Sequence, residues 1–371
     1  MNEILKITEG QNTGFIAAPP KPSDWIAGAE TGIIFEDRIG VDCWCQYLPS
    51  PETQKKAGID MFACVTFSAC NSVETQIDWM RAKGLLPQDA IDQLGRLGFW
   101  DANGKFNASD RFTAKMSGTT SLGNTLGEVW QSIRRDGLVP EADWPFIEGM
   151  SWEQYYAEIP QELKDKAKEF LKIFNITYEL VGFGNLNYTP ATEIRYHLKQ
   201  APLQIAAPVC WPWNTSEPIQ KCGVPNAGHA TLLHKLIEAV EFDIYDHYDP
   251  YNKKLAWDYN IPYVMKGVVA LRQPLAPLTL KYSFTADIEM GERSAGVATL
   301  QTALTIDGQF SRDLYDGLKS KNQLGYYGEI TRAAVRQFQF KYKVAGDTEL
   351  QGVNGRRVGS KTRSKLNELF S

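Results

Sequence analysis

The 371-residue chain reads as an α+β protein with a large two-subdomain unit followed by a small three-helix bundle. Three observations predict this. Helical periodicity lies between residues 64 and 173, and strand-like runs follow between 176 and 272. Helices first and strands later is the order expected when the two occupy separate subdomains. A third patch of short helices closes the chain after a proline-containing stretch.

The elements follow in order. Residues 1–35 read as extended and irregular, with APPKP (18–22) polyproline-like. From Cys64 to Lys83 the apolar residues Val65, Ala69, Val73 and Ile77 recur every four positions, with Met80 on the same side, which predicts a helix with one buried face. A second helix runs within 121–137 and stops at Gly137, and a third, of mixed charge, covers about 160–173. Strands are expected at 176–184, 202–209 and 267–272, and at 241–249, where apolar and polar residues alternate. The apolar run 230–240 fits either element. Two prolines and little periodicity place a linker at 273–294, between a unit at 36–272 and a module at 295–371.

That module contains an echo. Gly328-Glu-Ile-Thr331-Arg332 precedes a helix through Val335 and Phe338, and Gly359-Ser-Lys-Thr362-Arg363 precedes one through Leu366 and Leu369. In each, a Thr or Ser after the glycine can cap the helix. VATLQTAL (297–304) supplies a third, earlier helix.

Composition narrows the function. A net charge of −5 without a basic run gives no nucleic-acid footprint and no attraction to an anionic membrane. No stretch approaches about 18 consecutive apolar residues, so no membrane span is expected. MNEILKITEGQNTGF lacks the charged-then-apolar order of a secretory signal. Of the six cysteines, Cys43 and Cys45 are too close to ligate zinc unaided, and no CxxC pair occurs. Cys210 and Cys222 are either bridged, worth roughly 3 kcal/mol at most, or two buried thiols. No cofactor or resident metal is expected.

Cys64 opens its helix, where backbone N–H groups and the helix dipole favour a thiolate. Ala63-Cys64-Val65-Thr66-Phe67-Ser68-Ala69, with Val73-Glu74 beyond, resembles the nucleophile helix of papain-like cysteine peptidases. The family motif reads Cys-Trp-Ala-Phe-Ser-Ala, then Val/Ile-Glu. Phe67, Ser68, Ala69 and Glu74 fall in register; Val65 replaces the family's Trp, and the Gly-Ser-Cys-Gly-Ser run is absent. The stretches 121–146 and Gln200-Ala-Pro202-Leu-Gln-Ile-Ala also resemble the family, so the likeness spans about 40–272. It implies a two-subdomain papain-like fold with Cys64 as nucleophile.

The resemblance then assigns partners. Among four histidines, His197 lies in a charged, surface-type helix and His234 inside an apolar run. His229, in Ala227-Gly228-His229-Ala230, resembles the family's Gly/Asp-His-Ala motif and follows Cys64 by about 165 residues, so it is the expected base. The family's Asn-Ser-Trp-Gly motif is missing. Asp246 falls where that asparagine would stand and is the expected orienting group, with Asp249 and His247 as alternatives. The same residues also fit an Asp-rich turn, or a metal cluster of Asp243, Asp246, His247 and Asp249. Gln54 is the expected oxyanion donor, across an inserted KKAGIDMF loop, with Gln46 as the alternative.

In the C-terminal module, Val297, Leu300-Gln301, Leu304, Gly325-Tyr-Tyr-Gly328, Thr331, Ala334-Val335, Phe338-Gln339, Val358-Gly359, Thr362 and Leu366-Asn367 resemble the peptidoglycan-binding-like three-helix domain. Together the two likenesses imply a cysteine peptidase acting on peptide or peptidoglycan amide bonds. Residues 295–371 would hold it to wall glycan or stem peptide, delivered by a phage or carried in a virion. The alternatives are a catalytically inactive papain-like scaffold for wall binding or virion structure and, for location, the cytoplasm.

Overall fold

The computed structural model describes residues 14–19, 37–40, 43–184, 189–210, 218–220, 224–272, 279–310, 312–320 and 324–371. Most of the segment read as extended, 1–35, lies outside these residues, as does Cys222 and with it the Cys210–Cys222 pairing. Cys43 and Cys45 are joined to each other, while Cys64 and Cys70 are free thiols. No helix among the described residues is long and apolar enough to cross a membrane. The chain divides into two compact units, before and after the junction of Arg272 and Gln273.

The first unit opens with a small hairpin, β1 (Lys55–Lys56) and β2 (Ile59–Asp60). Helices α1 (Cys64–Ala82), α2 (Gln88–Leu97), α3 (Asp110–Met116), α4 (Leu126–Asp136), α5 (Trp152–Tyr155) and α6 (Gln161–Ile173) follow. Then come β3 (Phe174–Phe183), α7 (Ala191–Leu198), β4 (Leu203–Val209), β5 (Ala227–Ile237), β6 (Glu241–Tyr245), β7 (Asn252–Ala256) and β8 (Tyr263–Leu271). The six strands β3 to β8 form one antiparallel sheet in the order β3-β8-β4-β5-β6-β7. The apolar run that fitted either element is strand β5, because β4 and β6 pair with both its edges.

Helix α1 departs from its periodicity. Every residue from Cys64 to Met80 is buried, not one face alone. Its polar residues are therefore obliged to find partners inside. The Gln76 amide donates to the Gly267 carbonyl (3.1 Å) and accepts from Val269 N (3.0 Å) on β8, and the Ser72 hydroxyl donates to Pro202 O (3.1 Å). On the other side Glu74 accepts from Ala108 N (2.8 Å) and Asp78 from Phe106 N (3.2 Å). The helix is thus bonded to the sheet on one side and to the helical part on the other.

His197 is another departure. In place of a surface helix, α7 buries it at 5% exposure beside the Lys266–Glu179 ion pair, with Lys266 Nζ 3.1 Å from His197 Nδ1. Periodicity registers the charges on α7, whereas the burial comes from the countercharged pair beneath it.

The second unit has five helices where three were expected: α8 (Ala295–Ile306), α9 (Arg312–Ser320), α10 (Glu329–Lys341), α11 (Asp347–Val353) and α12 (Ser360–Phe370). A ribbon of β9 (Ile288–Glu289) and β10 (Arg357–Val358) accompanies them. Phe284 and Ile288, inside the stretch read as linker, are buried in this unit's core with Leu300, Tyr327, Phe338 and Leu366. Thr331 and Thr362 do not cap their helices. Gly328 and Gly359 occupy the N-cap positions, without side-chain caps. The threonine hydroxyls lie three residues further in and accept from a glutamine of an earlier helix: Gln301 Nε2 to Thr331 (2.9 Å) and Gln339 Nε2 to Thr362 (3.1 Å). The echo is therefore a repeated Gln–Thr bond between helices.

Candidate active site

Cys64 is the first residue of α1, and its N-cap, Ala63, offers no side-chain cap. The first turn is held from the sheet. Gln204 on β4 donates to Val65 O (2.6 Å) and Ser68 Oγ (2.8 Å), and accepts from Trp130 Nε1 (2.8 Å). Ser68 Oγ donates in turn to Cys64 O (2.7 Å). Trp130 reaches this position because residue 267 is glycine; a Cβ there would come to 2.0 Å from the indole ring.

Strand β5 carries His229, and the end of β6 delivers Asp246, so adjacent strands bring the two together. His229 Nε2 and Asp246 Oδ1 are 2.8 Å apart, with both side chains fully buried. An ionised carboxylate only accepts, so Nε2 carries the hydrogen and Nδ1 keeps its lone pair. Cys64 Sγ and one ring nitrogen each of His229 and His247 lie within 4.8 Å of one another.

Asp246 is tied further. Lys253 Nζ lies 2.7 Å from its Oδ2, and the His247 backbone N–H donates to its Oδ1 (2.9 Å). Burial pushes the Asp246 carboxyl up, but His229, His247 and Lys253 outweigh it and hold the group well below the usual carboxylate range. Lys253 was not anticipated from sequence. It faces Asp246 because β7 returns antiparallel to β6, with Ile244 opposite Lys253; the only sequence signal is the lysine pair just past the Asp-rich turn.

Of the alternatives, Asp249 is exposed and Asp243 pairs with Lys235 (2.8 Å), so the cluster of Asp243, Asp246, His247 and Asp249 does not assemble. His247 is fully buried, with neither ring nitrogen hydrogen-bonded, and burial pulls it down to about 3. Gln46 is exposed and bonds its neighbour Tyr47 (2.7 Å).

Gln54 is fully buried at this site, and its backbone N–H meets His247 O (3.4 Å). Its Nε2 donates to Asp60 Oδ1 (2.9 Å) and also contacts the Tyr248 hydroxyl. Tyr248 in turn donates to Asp60 Oδ2 (2.5 Å). The inserted loop is thus the β1–β2 hairpin, which ends with Asp60 on the Gln54 amide. Tyr156 OH donates to Met61 O (2.6 Å) and pins the hairpin's exit. There Phe62 takes a left-handed φ of 52°, at a cost on the order of 1 kcal/mol.

Cys64 is fully buried. Burial pushes its thiol well above the ordinary range; the Ala230 backbone hydrogen bond pulls it down part of the way, and the weaker effects of the Asp60 and Asp246 charges push it up again.

No family model and no curated protein matches the chain. Among solved structures the chain is similar to xylellain, a cysteine protease from Xylella fastidiosa, at 14% identity over 69% of this chain and 94% of that one, with a TM-score of 0.45. It is also similar to procathepsin B S9 from Trypanosoma congolense, at 9% identity over 70% and 87%, with a TM-score of 0.42. A Carica candamarcensis cysteine protease is similar at 10% identity over 61% and 96%, with a TM-score of 0.37.

Proposed function

We propose that the first unit is a papain-like thiol hydrolase of peptide or amide bonds, with Cys64 as nucleophile. The observation that carries this reading is the buried His229–Asp246 bond of 2.8 Å beside the Cys64 sulfur. Asp246 fixes the imidazole with Nδ1 available to take the thiol proton, and it stabilises the imidazolium so formed. The thiolate attacks the carbonyl carbon, and the tetrahedral oxyanion is held by the Gln54 amide and the Cys64 N–H. His229 returns its proton to the leaving amine, the C–N bond breaks, and an acyl-enzyme remains. Water, deprotonated by the same histidine, then releases the acid.

Both N–H groups of the Gln54 amide are engaged, one by Asp60 and one by the Tyr248 hydroxyl, so it serves an oxyanion only when one of the two gives way. A substrate therefore has to displace either the β1–β2 hairpin end or Tyr248. The papain-like scaffold without activity is favoured by the same contacts, together with the full burial of Cys64.

Alkylation separates the two readings. With the reduced full chain, iodoacetamide or E-64 is expected to label Cys64 in preference to Cys70, and Cys64→Ala to abolish hydrolysis. Equal labelling of the two cysteines, with full hydrolytic activity in Cys64→Ala, would sink the hydrolase reading.

For the second unit we propose wall binding, to glycan or stem peptide. Its support is the repeated Gln301–Thr331 and Gln339–Thr362 bonds, which coincide with the motif positions of the resemblance. Tethering would raise the local concentration of wall bonds without new catalytic contacts. Retention on purified sacculi tests it; retention no better than that of a control protein removes the claim.

A further inference from the structure

We propose that Cys64, His229 and His247 form a binding site for a zinc-class divalent cation, and that an ion held there blocks thiol chemistry at Cys64. Three observations carry this. The sulfur and the two imidazole nitrogens already lie within 4.8 Å of one another, all buried. Tetrahedral zinc with one sulfur and two nitrogen ligands places such atoms about 3.3–3.6 Å apart, so a side-chain adjustment of about an ångström completes the set. One thiolate and two imidazoles leave the fourth position to water.

His247 is the second observation. Its ring is fully buried, yet neither nitrogen has a hydrogen-bond partner; Asp246 Oδ1 lies 3.7 Å from Nε2. A desolvated imidazole without a partner costs about 1–3 kcal/mol, and the hydrolytic reading gives this one no task. A metal supplies the missing partner.

The third is the surroundings of His229. Its Nε2–H is engaged by Asp246, which leaves Nδ1 as the ligating atom and reproduces the carboxylate–histidine support common around bound zinc. The carboxylates of Asp60 and Asp246 lie near Cys64 and attract a dication. Binding converts the Cys64 thiol to a metal thiolate and releases one proton to solvent; nothing is oxidised or reduced.

The experiment uses the reduced full chain. Zinc is titrated against a chromophoric chelator, and cobalt(II) is followed by its thiolate-to-metal charge-transfer absorption. One ion per chain is expected. Cys64→Ser should abolish the cobalt–thiolate band, Cys70→Ser should retain it, and His247→Ala should weaken zinc by about a hundredfold. His247→Gln repeats the test with a larger side chain should the alanine variant not fold. Alkylation of Cys64 should stop on zinc addition and resume with chelator. Absence of the cobalt band in the unmutated chain, its persistence in Cys64→Ser, or zinc affinity unchanged in the folded His247 variant overturns the site. The hydrolase reading fails separately: zinc can bind as described in a chain whose Cys64→Ala variant loses no activity.

Discussion

Two groups of buried charge meet α1. At its first turn, Asp246 is buried among His229, His247 and Lys253, and its carboxyl is held below the usual range. Further along the helix, Glu74 is buried near Glu52, Asp78 and Glu141, and Asp110 near Glu52, Glu74 and Glu141. There burial and mutual repulsion push Glu74 and Asp110 well up, and Glu141 to about 8, with Lys56 too weak a counterweight for Glu141. Both groups are deeply buried, so burial does not decide the sign; the partners do. Phe67 lies between them. Its ring is 5.4 Å from that of His247, and it also lines a cavity of about 240 Å³ with Glu52, Asp110 and Glu141. On one side of this partition the surroundings favour the ionised carboxylate, and on the other the protonated one.

The largest break in this contrast comes from deleting the anion. Asp246→Ala leaves Lys253 and His229 without their carboxylate inside the fold, and a loss of about 3–5 kcal/mol is expected in urea unfolding. Asp246→Asn keeps an acceptor for His229 Nε2–H and should lose less stability, while still losing most activity. An alanine variant as stable as the parent would mean that Asp246 is not the anion on which this cluster depends.

Asp60 offers a smaller, opposite change. Its charge raises the Cys64 thiol, and its carboxylate occupies the Gln54 amide. Asp60→Asn should speed alkylation of Cys64 by about tenfold at neutral pH, equivalent to about 1.4 kcal/mol on the thiolate population or its access. In both proteins the rate should climb with pH beyond the ordinary thiol range, since burial remains the main cause of the shift. A variant that alkylates no faster than the parent would show that the hairpin is not what restrains the nucleophile.

Much of this was legible before the structure, and the limits have a physical pattern. Helix α1 and strands β3, β4, β6 and β8 come from local periodicity, whereas His229 and Asp246 were assigned through the resemblance to papain-like peptidases. Asp60, Tyr248 and Lys253 were missed because each acts through register: a hairpin folding back on Gln54, and β7 returning beside β6. His197 was misread because its burial depends on Lys266 and Glu179, far away in sequence. Thr331 and Thr362 carried the correct signal for the wrong reason. Their spacing after glycine marks the helix start, but the hydroxyl serves a neighbouring helix, which a cap rule cannot distinguish.

The gentlest test of the contrast is pH. Between about 4.5 and about 8, native Glu141 keeps a proton that the unfolded chain has released. The folded state then binds more protons, so the Glu141 contribution to stability falls as pH rises through this window. Asp246 has the opposite sign: its contribution is present above the ordinary aspartate range and is lost on acidification. Melting curves of the parent should therefore drop by about 5 °C from pH 5 to pH 8. Glu141→Gln, which stays neutral throughout, should reduce that slope, the remainder belonging to Glu74 and Asp110, whereas Asp246→Asn should leave it in place and lower the whole curve. A parent whose Tm rises over the same interval would place the extra protons elsewhere and remove the distinction between the two ends of Phe67.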